Sequence, residues 1–327
     1  MKSFTKVALI IALILVVLGS TFCMIGLGIG FSFRDFWEDV EMGEFSIGPF
    51  EDIPYVIGRN NMNWKDDGKS WKSSSTERFD FIWQGDKDKD RVDQLEVDVY
   101  YGTVVLEENP EDDNKIFVTV EYRKKDHKRQ VKAYKDGATL KIEEIGSKRS
   151  FNNDSTKIMI QIPSYMMEMN EAIKELSLKQ GAGDIYVNLP LRAEKINISV
   201  DAGECEVAKK LTALEKCQAD VGAGQINFEE IEAKELELKA NVGQIDTEEI
   251  KADQINIDCG IGSIDILAAG KEQDYNYEVE CSVGEVEIGD NSFSGLGSKR
   301  KIENAGDKQM QVKCNVGQVD VSFSEED

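Results

Sequence analysis

Residues 236–266 read LELKANVGQIDTEEIKADQINIDCGIGSIDI and contain one twelve-residue unit twice, with Gly243 and Gly262 at the same position in each copy. On both sides of the glycine, apolar residues alternate with polar ones. Strict alternation predicts strands that bury one face, and a glycine between two such strands predicts a tight corner. The stretch therefore predicts a coil that contains two short strands.

The same unit occurs seven times between residues 176 and 321. Positions seven and five before the glycine, and two and four after it, are apolar in every unit except at Thr247; the intervening positions are polar except at Tyr186. A single coil of about 20 residues cannot bury its own apolar face, whereas stacked coils share one core. The units are LSLKQGAGDIYV (176–187), INISVDAGECEV (196–207), CQADVGAGQINF (217–228), LELKANVGQIDT (236–247), INIDCGIGSIDI (255–266), YEVECSVGEVEI (277–288) and MQVKCNVGQVDV (310–321).

An earlier segment, LEVDVYYGTVVL (95–106), fits the same template, and residues 116–122, 138–144 and 157–163 also alternate as strands. We therefore predict an all-β fold, a single-stranded-type parallel β-solenoid with short coils, preceded by one transmembrane helix. The structural repeat glycines are Gly102, Gly183, Gly203, Gly224, Gly243, Gly262, Gly284 and Gly317. The predicted segments are a transmembrane anchor (1–33), a juxtamembrane linker (34–78), an N-terminal β region and cap (79–175), a seven-coil solenoid (176–323) and an acidic tail (324–327).

The N-terminal segment from Val7 to Phe31 carries no charge, and its 25 residues exceed the roughly 20 that a membrane-spanning helix needs. Lys2 and Lys6 precede it and mainly acidic residues follow it, so the positive-inside rule places the N-terminus in the cytoplasm and the rest of the chain outside. The sequence predicts a single-pass membrane protein. A cleaved signal peptide, with its site near residues 17–20, stays open as the alternative.

Composition excludes several classes of function. The formal net charge of −23 would repel nucleic acids. His127 is the only histidine, which excludes most catalytic triads and His-rich metal sites, and no Cys-x-x-Cys pair indicates zinc. Residues 85–93 superficially resemble a calcium loop but lack its glycine and its final glutamate. We expect no catalytic residue, metal or cofactor.

A basic run, RKKDHKRQVKAYK (123–135), interrupts the acidic sequence. It is a candidate contact for an anionic cell-wall polymer or for lipid headgroups, and the alternative is a solvated hairpin that keeps a β edge soluble. The candidate contact residues are Arg123, Lys124, Lys125, Lys128, Arg129 and Lys132.

Two columns of side chains follow from the template. Cys259, Cys281 and Cys314 share the position three before the glycine and should stack as buried core residues, although a disulfide stays conceivable. Cys205 and Cys217 occupy apolar template positions and are also expected in the core. Three positions after the glycine, an outward column is predicted that either binds cations or is simply exposed; it comprises Glu206, Asn227, Asp246, Asp265, Glu287 and Asp320.

The Gly-x-Ile-x-Val coils, preceded by an Ile-x-Ile-Pro strand at 160–163, resemble the putative-adhesin β-solenoid domain family of unknown function in bacteria, over roughly residues 79–323. The resemblance implies a surface or envelope protein of a Gram-positive-type bacterium. It carries no motif from which functional residues could be transferred.

Three functions follow as expectations. The first is a non-enzymatic, membrane-anchored module that contacts cell-wall polymer or another membrane protein. The second is a regulator or sensor partner in an envelope-stress response. The third is a polysaccharide-active enzyme, which the short and uniform coils disfavour because such enzymes build their clefts from long loops.

Overall fold

The structure is a computed structural model and describes residues 75–82, 92–109, 115–122, 129–146, 156–163, 173–294 and 297–324. All of them belong to one compact unit, Gly68–Gly146 with Asp154–Asp327. The predicted anchor and most of the predicted linker lie outside the described residues. Within the described residues, no helix has the length and hydropathy that crossing a membrane requires.

The described chain is all-β, as predicted, apart from one turn of 3-10 helix at Glu272–Asp274. The strands predicted at residues 116–122, 138–144 and 157–163 are present as β3, β5 and β6. The strands are β1 (Ser75–Ile82), β2 (Gln94–Asn109), β3 (Lys115–Tyr122), β4 (Arg129–Asp136), β5 (Thr139–Gly146), β6 (Thr156–Pro163), β7 (Ile173–Val187), β8 (Leu191–Val207), β9 (Leu211–Ala269), β10 (Tyr275–Ile288), β11 (Asn291–Ser294), β12 (Ser298–Ile302) and β13 (Lys308–Ser324).

Parallel pairing of β2, β7, β8, β9, β13 and β10 forms a continuous array, which we call the coil stack. The template glycines pair with one another in register, Gly102 with Gly183, Gly183 with Gly203, and Gly203 with Gly224. Apolar template positions therefore lie above one another and face a common core. Ile226, Ile245 and Ile264 are fully buried in that core.

Thr247 and Tyr186, the two residues that depart from the template in polarity, still occupy the inward and outward positions that the template assigns to them. Thr247 lies inside, 9% exposed, and its hydroxyl has no hydrogen-bond partner. Tyr186 occupies an outward position, yet it is only 4% exposed and its hydroxyl is also unpaired. Position in the coil, rather than residue type, thus decides where each side chain points.

The template glycines have a second role besides turning the chain. Gly203 has φ +135°, a conformation that L side chains rarely adopt, and a Cβ there would collide with the backbone carbonyl oxygen of Gly183 in the preceding coil. The same collision would occur at Gly243, which does not have a left-handed φ, against the carbonyl oxygen of Gly224. The corner therefore requires glycine chiefly because adjacent coils approach backbone to backbone.

Four coils also have a third side, which the two-strand interpretation missed. The chain repeats an aliphatic-x-Ala triplet, LRA at 191–193, LTA at 211–213, IEA at 231–233 and IKA at 250–252. Leu191 pairs with Leu211 and Ala193 with Ala213, and all four side chains are buried. The small alanine lets this side approach the core closely.

The prediction of a wholly parallel solenoid is wrong at both ends. At the first end, β3 is antiparallel to β1 and β6, and β4 is antiparallel to β5. At the other end, β11 and β12 form antiparallel ladders on the outer edge of β10. Two-residue turns join β4 to β5 and β10 to β11, and such a short turn can join only antiparallel neighbours. The pairs β1–β3, β3–β6 and β10–β12 instead join strands that are not consecutive in the chain.

The last two repeat units do not stack in chain order. β13 pairs with β9 on one side and with β10 on the other, so the final unit lies between the fifth unit and the sixth. Gly317 consequently sits between Gly262 and Gly284. The outer strand of the stack is β10, covered by β11 and β12.

Candidate functional site

An open groove of about 480 Å³ lies at the end of the core formed by the N-terminal strands β1, β4 and β5. It is lined by Phe79, Lys132, Ala133, Tyr134 and Glu143. Phe79 is on β1 and pairs with the fully buried Val118, and Ala133 is on β4 and pairs with the fully buried Ile142. The core therefore meets solvent between these two strands. We call this feature the end groove.

Two edge strands border the end groove. Among the residues that the structure describes, β1 pairs only with β3, and β4 pairs only with β5. The backbone N–H of Val131 donates a hydrogen bond to the hydroxyl oxygen of Tyr122 at 3.0 Å and ties β4 to β3. The N–H and C=O groups at the edge of a sheet, beside an apolar groove, are suited to binding rather than to chemistry.

The rim of the end groove combines an aromatic ring with a positive charge. Tyr134 is 37% exposed, and its hydroxyl donates a hydrogen bond to Glu143 Oε1 at 3.0 Å. That hydrogen bond raises the pKa of Tyr134. Lys132, two residues earlier on the same edge strand, is exposed. Tyr134 can stack against a flat group, and Lys132 supplies a positive charge on the same rim as the Glu143 carboxylate.

The structure places only part of the predicted anionic-polymer contact. Arg123, Lys124, Lys125 and Lys128 lie outside the described residues, and of Arg129 only the backbone, in β4, is described. Lys132 lies at the end groove. The basic run thus leads into the strand that borders the groove, a relation that the sequence did not reveal.

The outward acidic column forms in the predicted register. Asp265 pairs with Asp320, and Asp320 with Glu287. Burial raises the pKa of Asp265, as do the neighbouring carboxylates of Asp246 and Asp320. Gln244 Nε2 donates to both carboxylate oxygens of Asp246 at 2.8 and 3.1 Å. Within the described part of the chain, no group of three or more His, Cys, Asp or Glu side chains is arranged to hold a metal ion.

The predicted cysteine column is present in the core. Cys259 pairs with Cys314 and Cys314 with Cys281, so the column follows the spatial order of the strands rather than the chain order. Cys205 and Cys217 are buried as well, and all five are free thiols. Burial raises the pKa of the Cys217 thiol to about 12. These thiols belong to the packing of the core.

A stripe of exposed aliphatic side chains was not predicted. The residue just before the glycine points outward at the corner, and in four adjacent repeat units it is Val242, Ile261, Val316 and Val283, each 39–46% exposed. The sequence carries a signal for this stripe, because these residues break the expected run of polar or small corner positions. The stripe is one side chain wide.

Comparison with known proteins agrees with the repeat pattern. The family model for Toastrack DUF4097 matches residues 92–294, which is more than half of the chain. No curated protein matches the chain.

Several solved structures share weak similarity with the chain. A putative adhesin from Parabacteroides distasonis is 13% identical, with 76% of this chain and 97% of that chain covered and a TM-score of 0.41. A putative adhesin from Bacteroides fragilis is 15% identical, with 76% and 98% covered and a TM-score of 0.35. A putative cell adhesion protein from Clostridium sporogenes is 10% identical, with 76% and 100% covered and a TM-score of 0.29. Such low identities and TM-scores transfer no function.

Proposed function

The chain belongs to the Toastrack DUF4097 family, and we propose that it is a non-enzymatic interaction module displayed outside the cell by a single N-terminal transmembrane helix. The observation that carries the proposal is the end groove, where the core opens between two edge strands, one of which, β4, contains the last part of the basic run 123–135. The ligand is an anionic cell-wall polymer, held by Lys132 and the basic run and stacked against Tyr134. The coil stack serves as the rigid support for this end.

The sequence supports the location. The uncharged segment from Val7 to Phe31 is long enough to span a bilayer, and Lys2 and Lys6 lie on its N-terminal side. An ectodomain with a net negative charge also resists adsorption to the anionic membrane surface, which leaves a local basic segment available to a ligand.

A reporter fusion tests the location. An enzyme that is active only outside the cytoplasmic membrane, fused after Asp327, should be active in whole cells. A reporter that is active only in the cytoplasm should be inactive at the same position. The opposite pattern would refute the topology.

Retention on immobilised anionic wall polymer tests the binding. The solubilised full-length chain should be retained, less so at high salt, because the attraction is electrostatic. Lys132→Glu should weaken retention about tenfold, since a rim charge steers and holds an oppositely charged ligand. Lys179→Glu is the matched control, because Lys179 is exposed on β7 and does not line the groove.

Crosslinking in intact membranes separates this function from an envelope-stress regulator. A polymer-binding module should capture wall material, whereas a regulator should capture one defined membrane protein. Equal retention of wild type, Lys132→Glu and Lys179→Glu, with no wall material crosslinked, would overturn the proposal.

A further inference from the structure

β13, the last of the strands that the structure describes, is an interior strand of the sheet. β13 lies between β9 and β10, with continuous parallel register to both from residue 309 to residue 321 apart from the corner residue Asn315. The two strands that flank it fit the same template, because Gly262 and Gly284 both align with Gly317. β13 therefore fills a slot whose two walls are equivalent to each other.

The path of the chain explains how β13 reaches this slot. After β10, the chain runs back along the outer edge of β10 as β11 and β12. Residues 303–307 then carry it across to the inner side of β10, where β13 begins at Lys308. Among the described strands, β10 pairs with β13, β11 and β12 and not with β9, so the strand in this slot joins β10 to the rest of the coil stack. If β13 leaves, the coils up to β9 keep their own pairing.

The slot is selective for the sequence that occupies it. A Cβ at Gly317 would collide with the carbonyl oxygen of Gly262, and a Cβ at Gly284 would collide with the carbonyl oxygen of Gly317. The buried side chains on β13 alternate, with Met310, Val312 and Cys314 before the corner and Val319 and Val321 after it. Residues 308–324 of this chain meet both requirements.

The connection into the slot is short and strained. Ala305 has φ +60° and is the only non-glycine residue of the described chain with a positive φ. Asn304 holds the connection in place: its Nδ2 donates to the carbonyl oxygens of Glu272 at 3.2 Å and Tyr275 at 3.0 Å. Short hinges under strain favour exchange of the element that follows them.

We propose that residues 308–324 are an exchangeable strand, and that the slot between β9 and β10 binds the same strand from a second copy of this chain. Reciprocal exchange gives a closed dimer with the same β contacts as the monomer and a relaxed connection. Five extended residues span about 17 Å, more than three times the spacing of adjacent strands, so the connection is long enough to open away from its own slot. This inference is independent of the ligand at the end groove.

Two hinge variants of the full-length chain test the proposal, because they act in opposite directions. Copies with different affinity tags are mixed, warmed gently and purified through one tag, and the amount of the second tag measures exchange. Ala305→Gly removes the strain of the closed connection and should lower the dimer fraction about tenfold. Asn304→Ala removes hydrogen bonds of the closed connection and should raise it about tenfold.

A cross-chain disulfide shows whether the strand is the part exchanged. One copy carries Cys314→Ala and the other Cys259→Ala, both with Cys281→Ala; alanine suits this position because Ala240 occupies it in the fourth unit. Only exchange brings Cys259 of the first copy beside Cys314 of the second. Diamide then oxidises the two thiols to a disulfide and takes up their two hydrogens. As the control, a single chain that retains both Cys259 and Cys314 shows that a disulfide can form between these two positions.

The outcomes are distinct. A mixed-tag dimer that responds oppositely to the two hinge variants and forms the cross-chain disulfide supports strand exchange. The proposal is overturned if Asn304→Ala gives no mixed-tag dimer. A dimer that lacks the cross-chain disulfide, although the intrachain control closes, also overturns it. Neither result bears on polymer binding.

Discussion

Three glycine-to-alanine substitutions separate the two reasons for a corner glycine. Gly137 lies in the β4–β5 turn with φ +62° and has nothing within 4 Å of an added Cβ, so Gly137→Ala adds backbone strain alone. Gly243→Ala adds only the collision with the neighbouring coil. Gly203→Ala adds both, because its φ is +135° and its Cβ would collide with the carbonyl oxygen of Gly183.

The magnitudes follow from these geometries. Gly137→Ala should lower the free energy of unfolding by about 1 kcal/mol, the cost of a left-handed alanine. Gly243→Ala should lower it by about 1–3 kcal/mol, the range for overpacking against atoms that cannot move away. Gly203→Ala should lose about 3–5 kcal/mol, a large part of the 5–15 kcal/mol that stabilises a typical domain.

Urea unfolding followed by far-UV circular dichroism measures the three losses, with unchanged m-values as the check that only stability differs. The loss of unfolding free energy should be largest for Gly203→Ala, smaller for Gly243→Ala and smallest for Gly137→Ala. In a thermal scan, Gly203→Ala should lower Tm by about 10 °C for a unit of this size. A loss at Gly203 no greater than that at Gly137 would refute the backbone contact between coils as the reason for the glycine.

Two further substitutions test buried polar groups. Thr247→Val should raise the free energy of unfolding by about 1 kcal/mol in urea, because it replaces a buried, unpaired hydroxyl with a methyl group of similar size; destabilisation would show that the hydroxyl has a partner. Burial raises the pKa of Asp184 to about 6, so the folded chain binds this proton more tightly than the unfolded chain does. The free energy of unfolding should therefore fall by up to about 3 kcal/mol as the pH rises from 4 to 6. Asp184→Asn should abolish that part of the pH profile and stabilise the chain at pH 7, and an unchanged profile would contradict the assignment.

Local alternation was sufficient to predict most of the coil. It placed the apolar positions inside, aligned the glycines and cysteines in columns, and identified β3, β5 and β6 before any pairing was known. Alternation is sufficient because a register shift of one residue would move every apolar side chain from the core face of the strand to the solvent face. The third side of the coil was missed although its aliphatic-x-Ala triplets recur, because three residues are too few to reveal a period of two.

The end groove could not be predicted from the sequence. Phe79 and Ala133 are far apart in the chain, and each alone looks like an ordinary inward residue of a strand. They meet because β1 and β4 are the last strands of two ladders that end side by side. Which strand ends a ladder depends on long-range pairing, and no local pattern encodes it.

The sequence by itself determined that these units form coils with a shared aliphatic core, because the repeat template dictates which side chains each strand buries. Only the tertiary structure decided the order of the last three units. Their templates are equivalent, so β10 and β13 could each pair with the fifth unit in the same register. The antiparallel strands β11 and β12 occupy the outer edge of β10, and β13 therefore pairs on its inner side.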